Sequence, residues 1–407
     1  MGWSSVFQKL VSHNDDIRRL VEKGYAVGFD SEYLIVRDVP YLDANRAYQL
    51  GAIVTKLVFT DNEHVRQDDH QIFFAGSHPY NMDGGQIGNL AGGPTTLTLS
   101  AEAHDVVVQR SFSNKPRVNG QLVGFDNFFD KIESYVGIIS GPAMAMYPGR
   151  KEPLTYRTVE KAAQDAIFKI HDTMTSRAEI TGLSAKFNDE VVAIIGLGGT
   201  GAYTLDFLAK TPVKEIRGFD RDPFHVHNAF RSPGRFEHDE FNLSKAEMYQ
   251  ARYGNLRHGL KLEAKFIDAS CAADFNGVTF AFVCVDKGSS RAGIFDLLIA
   301  LGIPFIDVGM GLNRKHGALS GMMRATYYAP ETAAAVRRKE LAEQTDRPNE
   351  EYRVNIQISE LNALNAAMAI MKFKRLKGFY VEKTPDFHFL FDLADGKIAT
   401  RSELNEA

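Results

Sequence analysis

The spacing of apolar positions divides the 407-residue chain into two regions of different character. Before residue 150, alternating runs at 33–36, 52–59 and 71–74 predict strands, because side chains two apart share one face of a pleated sheet. Clusters such as Ser77-His78-Pro79 and Gly92-Gly93-Pro94 break them. Helical patterns are few there, over 5–22 and 126–135. Residues 142–153, with three prolines and Gly149, read as a linker. The stripe Val159, Ala162, Ala166, Ile170 and Met174 then predicts an amphipathic helix over 158–177. Beyond it strands and helices alternate. Strands are expected at Val191–Ile195, Glu215–Phe219, 262–267, 279–285 and 304–308, with helices opening at Gly201, Ser244 and Arg291. This alternation predicts an α/β fold, a doubly wound, mostly parallel sheet with helices on both faces, preceded by a smaller α+β domain. The expected divisions are 1–150, 151–385 and a tail at 386–407.

One stretch carries the chemistry. Val191-Val192-Ala193-Ile194-Ile195 runs into Gly196-Leu197-Gly198-Gly199-Thr200-Gly201, an apolar strand entering a glycine-rich turn and a helix. Gly196, Gly198, Gly199 and Gly201 let the backbone turn tightly and let phosphate oxygens reach amide N–H groups, while the helix N-terminus adds partial positive charge. Asp220 follows Gly196 by 24 residues at the end of the next strand, where a carboxylate can grip a ribose hydroxyl. The chain is therefore expected to bind an adenine nucleotide.

Composition narrows the setting. A net charge of −4 leaves no basic footprint for nucleic acid. Two cysteines, Cys271 and Cys284, do not make a disulfide framework and suit a reducing cytoplasm. No signal peptide and no membrane span are expected, since no uncharged apolar run approaches the roughly 20 residues a span needs. The expected location is cytoplasmic.

A G-x-G-x-x-G turn alone fits a nicotinamide-dependent oxidoreductase equally well. Hydride transfer, however, has no use for the polar array that follows: Asp220 and Asp222, then Asn228 and Arg231, Lys245, and Asp286 after an apolar strand. Splitting ATP between its α- and β-phosphates does. Asn228, Arg231 and Lys245 can neutralise charge growing on the triphosphate, and Asp286 at the carboxyl end of a strand is placed to hold Mg²⁺. Asp222 precedes Pro223, so an Asp-Pro turn accounts for it as well. His225 and His227 read as loop histidines, and the stripe Ile358, Leu361, Leu364, Met368 and Met371 as core or dimer interface.

The order G-x-G-G-x-G, D-x-D, N-x-x-R, lysine, aspartate resembles the ThiF family, ATP-dependent adenylyltransferases that activate ubiquitin-like and sulfur-carrier proteins. Gly196, Gly198, Gly199, Gly201, Asp220, Asp222, Asn228, Arg231, Lys245 and Asp286 fill its slots, and the resemblance extends to the segment from Tyr352 to Asn365. It implies the C-terminal carboxylate of a ubiquitin-like protein as substrate, an acyl-adenylate and pyrophosphate as products, and onward conjugation with a conjugating enzyme as a further partner. A sulfur carrier, a small molecule or a tRNA-base carboxylate are alternative substrates. It also implies a homodimer in which one subunit's arginine reaches the other's triphosphate, with Arg177 as candidate and Arg157 as runner-up. Two departures stand out. The crossover segment, residues 323–351, has no cysteine to accept the acyl group, and the paired C-x-x-C zinc ligands are missing, so no zinc is expected. Cys271, in a loop, reads as a thiol open to solvent, and Ser320, Thr326, Thr332 and Thr345 are the nearby hydroxyls. Residues 1–150 hold no nucleophile–base pair or phosphate loop and read as a recruitment module or part of a dimer interface.

Overall fold

A computed structural model describes residues 3–403 except 31, 62, 101–102, 119, 160–166, 171, 179, 316 and 346–355. The chain forms two compact units, Met1–Thr181 and Gly182–Ala407. The division expected near 150 thus falls inside the first unit, because Leu154 bridges to Tyr25 and the Arg157 guanidinium pairs with Asp38.

The first unit is built on an antiparallel seven-stranded sheet. Its path runs Ala26–Asp30, Tyr33–Leu42, Tyr48–Phe59, Gln71–Ala75, Arg110–Ser113 and Ala91–Pro94, with Val65–Gln67 paired to the third. Helix Phe128–Met146 packs on Tyr33–Leu42 through Phe128, Ile132, Tyr135, Val136 and Ile139, the i, i+4, i+7 set of one helical face. Asn127 caps it, accepting from Asp130 N at 2.8 Å. The helix outruns the expected 126–135 and carries Pro142 inside it, so the segment read as linker begins as helix. Ser140 and Ala143, on either side of that proline, are buried, and their packing offsets the one backbone bond proline forfeits. The single helix expected over 5–22 is two, Trp3–His13 and Asp15–Lys23. Between them Asn14 leaves the helical region, and its buried amide bonds Leu10 O and Glu63 O and accepts from Val65 N.

The helix expected over 158–177 is present only as Thr173–Arg177, with 160–166 and 171 outside the described residues. Of the stripe's described residues, Ile170 is 44% and Met174 63% exposed.

In the second unit the eight-stranded sheet runs Leu260–Glu263, Glu215–Phe219, Val191–Ile195, Phe280–Val283, Phe305–Lys315, Ala318–Tyr328, His388–Asp392 and Lys397–Arg401. Its first five strands are parallel and the rest antiparallel. Val192 and Ile194 enter one core with Leu205, Tyr249 and Phe373, while Ala193 and Ile195 enter another with Ile294, Phe295 and Leu298. Alternate residues of one strand thus bury against helices on opposite faces, which makes the sheet doubly wound. Strand order reverses between Val191–Ile195 and Phe280–Val283, opening a crevice beyond their carboxyl ends.

Two expectations are corrected here. The strand expected at 304–308 continues to Lys315 and pairs with Ala318–Tyr328 as a long hairpin, so the segment read as a crossover begins inside a strand. The expected tail at 386–407 contributes two strands, because His388–Asp392 finds an open sheet edge on Ala318–Tyr328. Helix Ser359–Leu376 buries Leu361 and Met368 and leaves Leu364 at 37% and Met371 at 46% exposed, a division compatible with the reading of that stripe as core or dimer interface; its core-facing side also includes Asn362, Asn365, Ala369 and Phe373.

Candidate active site

The glycine turn divides its labour. Gly196 takes φ +91°, where a side chain is strained, and an added Cβ would lie 2.7 Å from Cys284 O. A Cβ on Gly201 would lie 1.9 Å from Gly196 O, and one on Gly199 would lie 2.2 Å from Asn362 Nδ2. These three glycines are demanded by the fold. Gly198, the N-cap of helix Gly199–Ala209, is different: a Cβ there meets nothing within 4 Å. Space held open at a helix N-terminus is what an approaching phosphate needs.

On one side of the turn lies a charged cluster. Asp220 Oδ2 accepts from Leu197 N at 2.8 Å, and Lys245 Nζ stands 3.3 Å from both Asp220 oxygens and 3.1 Å from Asp222 Oδ2. Lys245 starts its helix behind Ser244, which caps by accepting from Glu247 N. The lysine and Asp220 side chains are 8% and 9% exposed, Asp222 61%. Asn228 is buried, but its Oδ1 closes its own helical turn by accepting from His225 N at 2.8 Å. Arg231 Nε is buried with no partner among the described residues, a donor left open.

On the other side lies a cavity of about 420 Å³. It runs from Gly198, Gly199 and Thr200 past Asp286 to the Phe305–Lys315/Ala318–Tyr328 hairpin. Asp286 is exposed, three residues beyond its strand, and one oxygen accepts from Gln357 Nε2 at 3.0 Å. Asp286, one of three exposed carboxylates lining the cavity with Glu340 and Glu343, is of the residue type that fits Mg²⁺, which takes one or two protein carboxylates and fills its shell with water and phosphate oxygens. The charged cluster and the cavity are tied by a residue the sequence reading did not single out. Asn362, 1% exposed, accepts from Thr200 Oγ1 at 3.1 Å and donates to Arg231 O at 3.4 Å. Its signal was present: an asparagine inside the apolar pattern of a core helix needs a partner.

Other candidates lie elsewhere. Cys271, expected to be open, is buried, with its thiol near Phe266 O and Asp268 Oδ1. Cys284 lines the cavity, and burial followed by the charge of Asp307 pushes its thiol well above the ordinary range, so it is no thiolate at neutral pH. Thr326 is fully buried against His388 Nδ1, Ser320 bonds Asn313, and Thr332 and Thr345 lie outside the cavity lining. Burial, followed by Arg231 and His225, lowers His227 below the usual imidazole range. Arg177 ends helix Thr173–Arg177; its side chain, like residues 346–355 of the crossover and the early part of the segment from Tyr352, lies outside what is described. No group of three metal-binding side chains occurs, and no helix is long and apolar enough to cross a membrane, among the described residues.

Comparison with known proteins matches residues 174–400 to the ThiF family and residues 15–173 to a domain of unknown function, DUF6791. No curated protein matches the chain. Among solved structures it is similar to PaaA, at 16% identity over 54% of this chain and 66% of that one, with a TM-score of 0.43. It is similar also to E. coli MccB, at 16% identity over 54% and 64%, with a TM-score of 0.44. The MccB structure with ATP matches at 15% over 54% and 65%, with a TM-score of 0.40. The chain spans 64–66% of the length of these structures.

Proposed function

The chain belongs to the ThiF family, and from that membership we propose that it uses ATP and Mg²⁺ to adenylate the C-terminal carboxylate of a ubiquitin-like protein. One carboxylate oxygen attacks the α-phosphorus, the bond from that phosphorus to the bridging oxygen breaks, and pyrophosphate leaves from an acyl-adenylate. The observation that carries this reading is the glycine turn at the sheet's switch point, with the charged cluster of Lys245, Asp220 and Asp222 beside it and a cavity that begins at Gly198.

In this reading Gly198 admits the phosphates and Asp220 binds ribose. Lys245 exchanges the exposed Asp222 carboxylate for a phosphate oxygen, and Arg231, whose buried Nε lacks a partner among the described residues, is the candidate to pair with the leaving pyrophosphate. Asn228 holds the turn that presents Arg231. Asp286 would hold Mg²⁺, which when bound offsets phosphate charge. With Cys284 held as a thiol and Cys271 buried, the chain's own chemistry ends at the adenylate, and a conjugating partner takes the acyl group. Exposed Leu364 and Met371, seven apart on one helical face, support a homodimer, in which Arg177 stays the candidate for the arginine that reaches the partner's triphosphate.

The test is thermal melting followed by pyrophosphate exchange. ATP with Mg²⁺ should raise the melting temperature and NAD should not, and exchange should need a ubiquitin-like protein with a free C-terminus. Stabilisation by NAD alone overturns the reading. An adduct sensitive to thiol and lost in Cys271→Ala would overturn the adenylate endpoint. Sedimentation as a monomer at micromolar concentration would remove the dimer.

A further inference from the structure

The cavity floor carries a charge arrangement that the adenylation roles leave unused. Asp307 is fully buried and holds two guanidiniums: Arg291 Nε at 3.0 Å on Oδ1 and Arg324 Nη1 at 2.5 Å on Oδ2. One carboxylate against two guanidiniums leaves one positive charge on the floor. Arg291 is spent, since its remaining groups donate to Glu343 O and Val285 O. Arg324 is not. Its Nη1 also reaches Thr326 Oγ1 at 3.5 Å, while Nε and Nη2 have no hydrogen-bond partner among the described residues. Those two atoms lie against a glycine: a Cβ added to Gly309 would come within 2.8 Å of both. Gly309, Arg324 and the neighbouring Gly311 and Gly321 all line the cavity. The acidic lining residues Asp286, Glu340 and Glu343 are exposed, so water screens them more than it screens the floor.

We propose that Arg324 binds the substrate's carboxylate, taking one oxygen on its free Nε–Nη2 edge and leaving the other oxygen for attack at phosphorus. Asp307 holds the guanidinium by charge, without an aligned hydrogen bond to its Oδ2, and Gly309 gives it room to lie over the cavity wall. A guanidinium edge matches a carboxylate in shape and charge, and an amide offers it no charge. The assignment rests on the adenylation reading and makes Arg324 the residue that selects a free chain end.

Triglycine, a peptide carboxylate without side chains, is the probe, and triglycinamide is its control. Binding to the full chain is followed through ¹³C-methyl signals of Met310 and Met322, both in the cavity lining, with the ATP analogue AMPCPP titrated separately. Triglycine should shift both methyls and bind at least tenfold more tightly than its amide. Arg324→Gln should weaken triglycine at least tenfold and AMPCPP less than twofold. Equal binding of acid and amide overturns the assignment, as does a lack of triglycine-induced shift in the wild type. Equal weakening of AMPCPP in Arg324→Gln also overturns it, by making Arg324 a phosphate ligand. If Arg324→Gln fails to fold, Arg324→Lys and the wild-type acid–amide comparison decide. Failure of AMPCPP alone to bind counts against adenylation and leaves the triglycine result to judge Arg324.

Discussion

Both units bury charged side chains, and they use them differently. In the first, Lys131 is 1% exposed and donates to Thr55 Oγ1 at 2.8 Å and Asp69 O at 2.7 Å, while Arg37 pairs through two bonds with Asp105. These groups join strands to a helix and to a loop and end there. In the second, the Lys245–Asp220 pair lies beside a glycine turn with empty space at Gly198, and Arg324 lies over a cavity with two donors free. Burial of charge therefore does not identify a site. An unspent donor facing a cavity does.

Asp286→Asn is the most severe test of the contrast. Because Asp286 is exposed and, among the described residues, bonded only to Gln357 Nε2, melting should barely change. Pyrophosphate exchange should fall by about a thousandfold, or roughly 4 kcal/mol of transition-state stabilisation. A rate within threefold of wild type would clear Asp286 of any metal role. Next come paired glycine changes. Gly201→Ala should cost about 3 kcal/mol of stability, because its Cβ meets a backbone oxygen. Gly198→Ala should leave melting unaltered and abolish the shift produced by ATP. If both variants behave alike, the turn has no division between fold and ligand.

A third test concerns pH. His388 is buried and neutral, and burial, then Arg324 and Arg401, lower its pKa to about 4. Between that value and the ordinary 6.5 the unfolded chain holds the proton and the folded chain does not, so stability falls as pH drops through this window. The loss reaches at most about 3 kcal/mol by pH 4. His388→Gln should flatten that acid limb, and an unchanged limb would assign it to other groups. Lys131 should give the smallest effect. Burial lowers its pKa to about 8, so the folded chain releases a proton that the unfolded chain keeps until near 10.5, and stability rises with pH across that interval. Lys131→Met should be within about 1 kcal/mol of wild type at pH 7 and lose that rise. A much larger loss would give Lys131 a role beyond joining helix to sheet.

The sequence by itself determined the switch-point half of the molecule. Strand Val191–Ile195, its glycine turn and the order of Asp220, Asn228, Arg231, Lys245 and Asp286 follow from local rules: apolar runs make buried strands, and tight turns need glycine. Elements that depend on finding a partner were not legible. Ile170 and Met174 read as the buried stripe of a helix and are exposed, while His388–Asp392 looked like tail and pairs with Ala318–Tyr328 in the sheet. Only the tertiary structure decided which polar groups are spent. Asn228, Arg291, Arg324 and Asn362 are equally polar in the sequence, but Asn228 caps a turn, Arg291 is saturated, Asn362 ties two segments and Arg324 keeps donors free. Hydrogen bonds between residues far apart in the chain form only after the backbone is placed, so no local pattern encodes them.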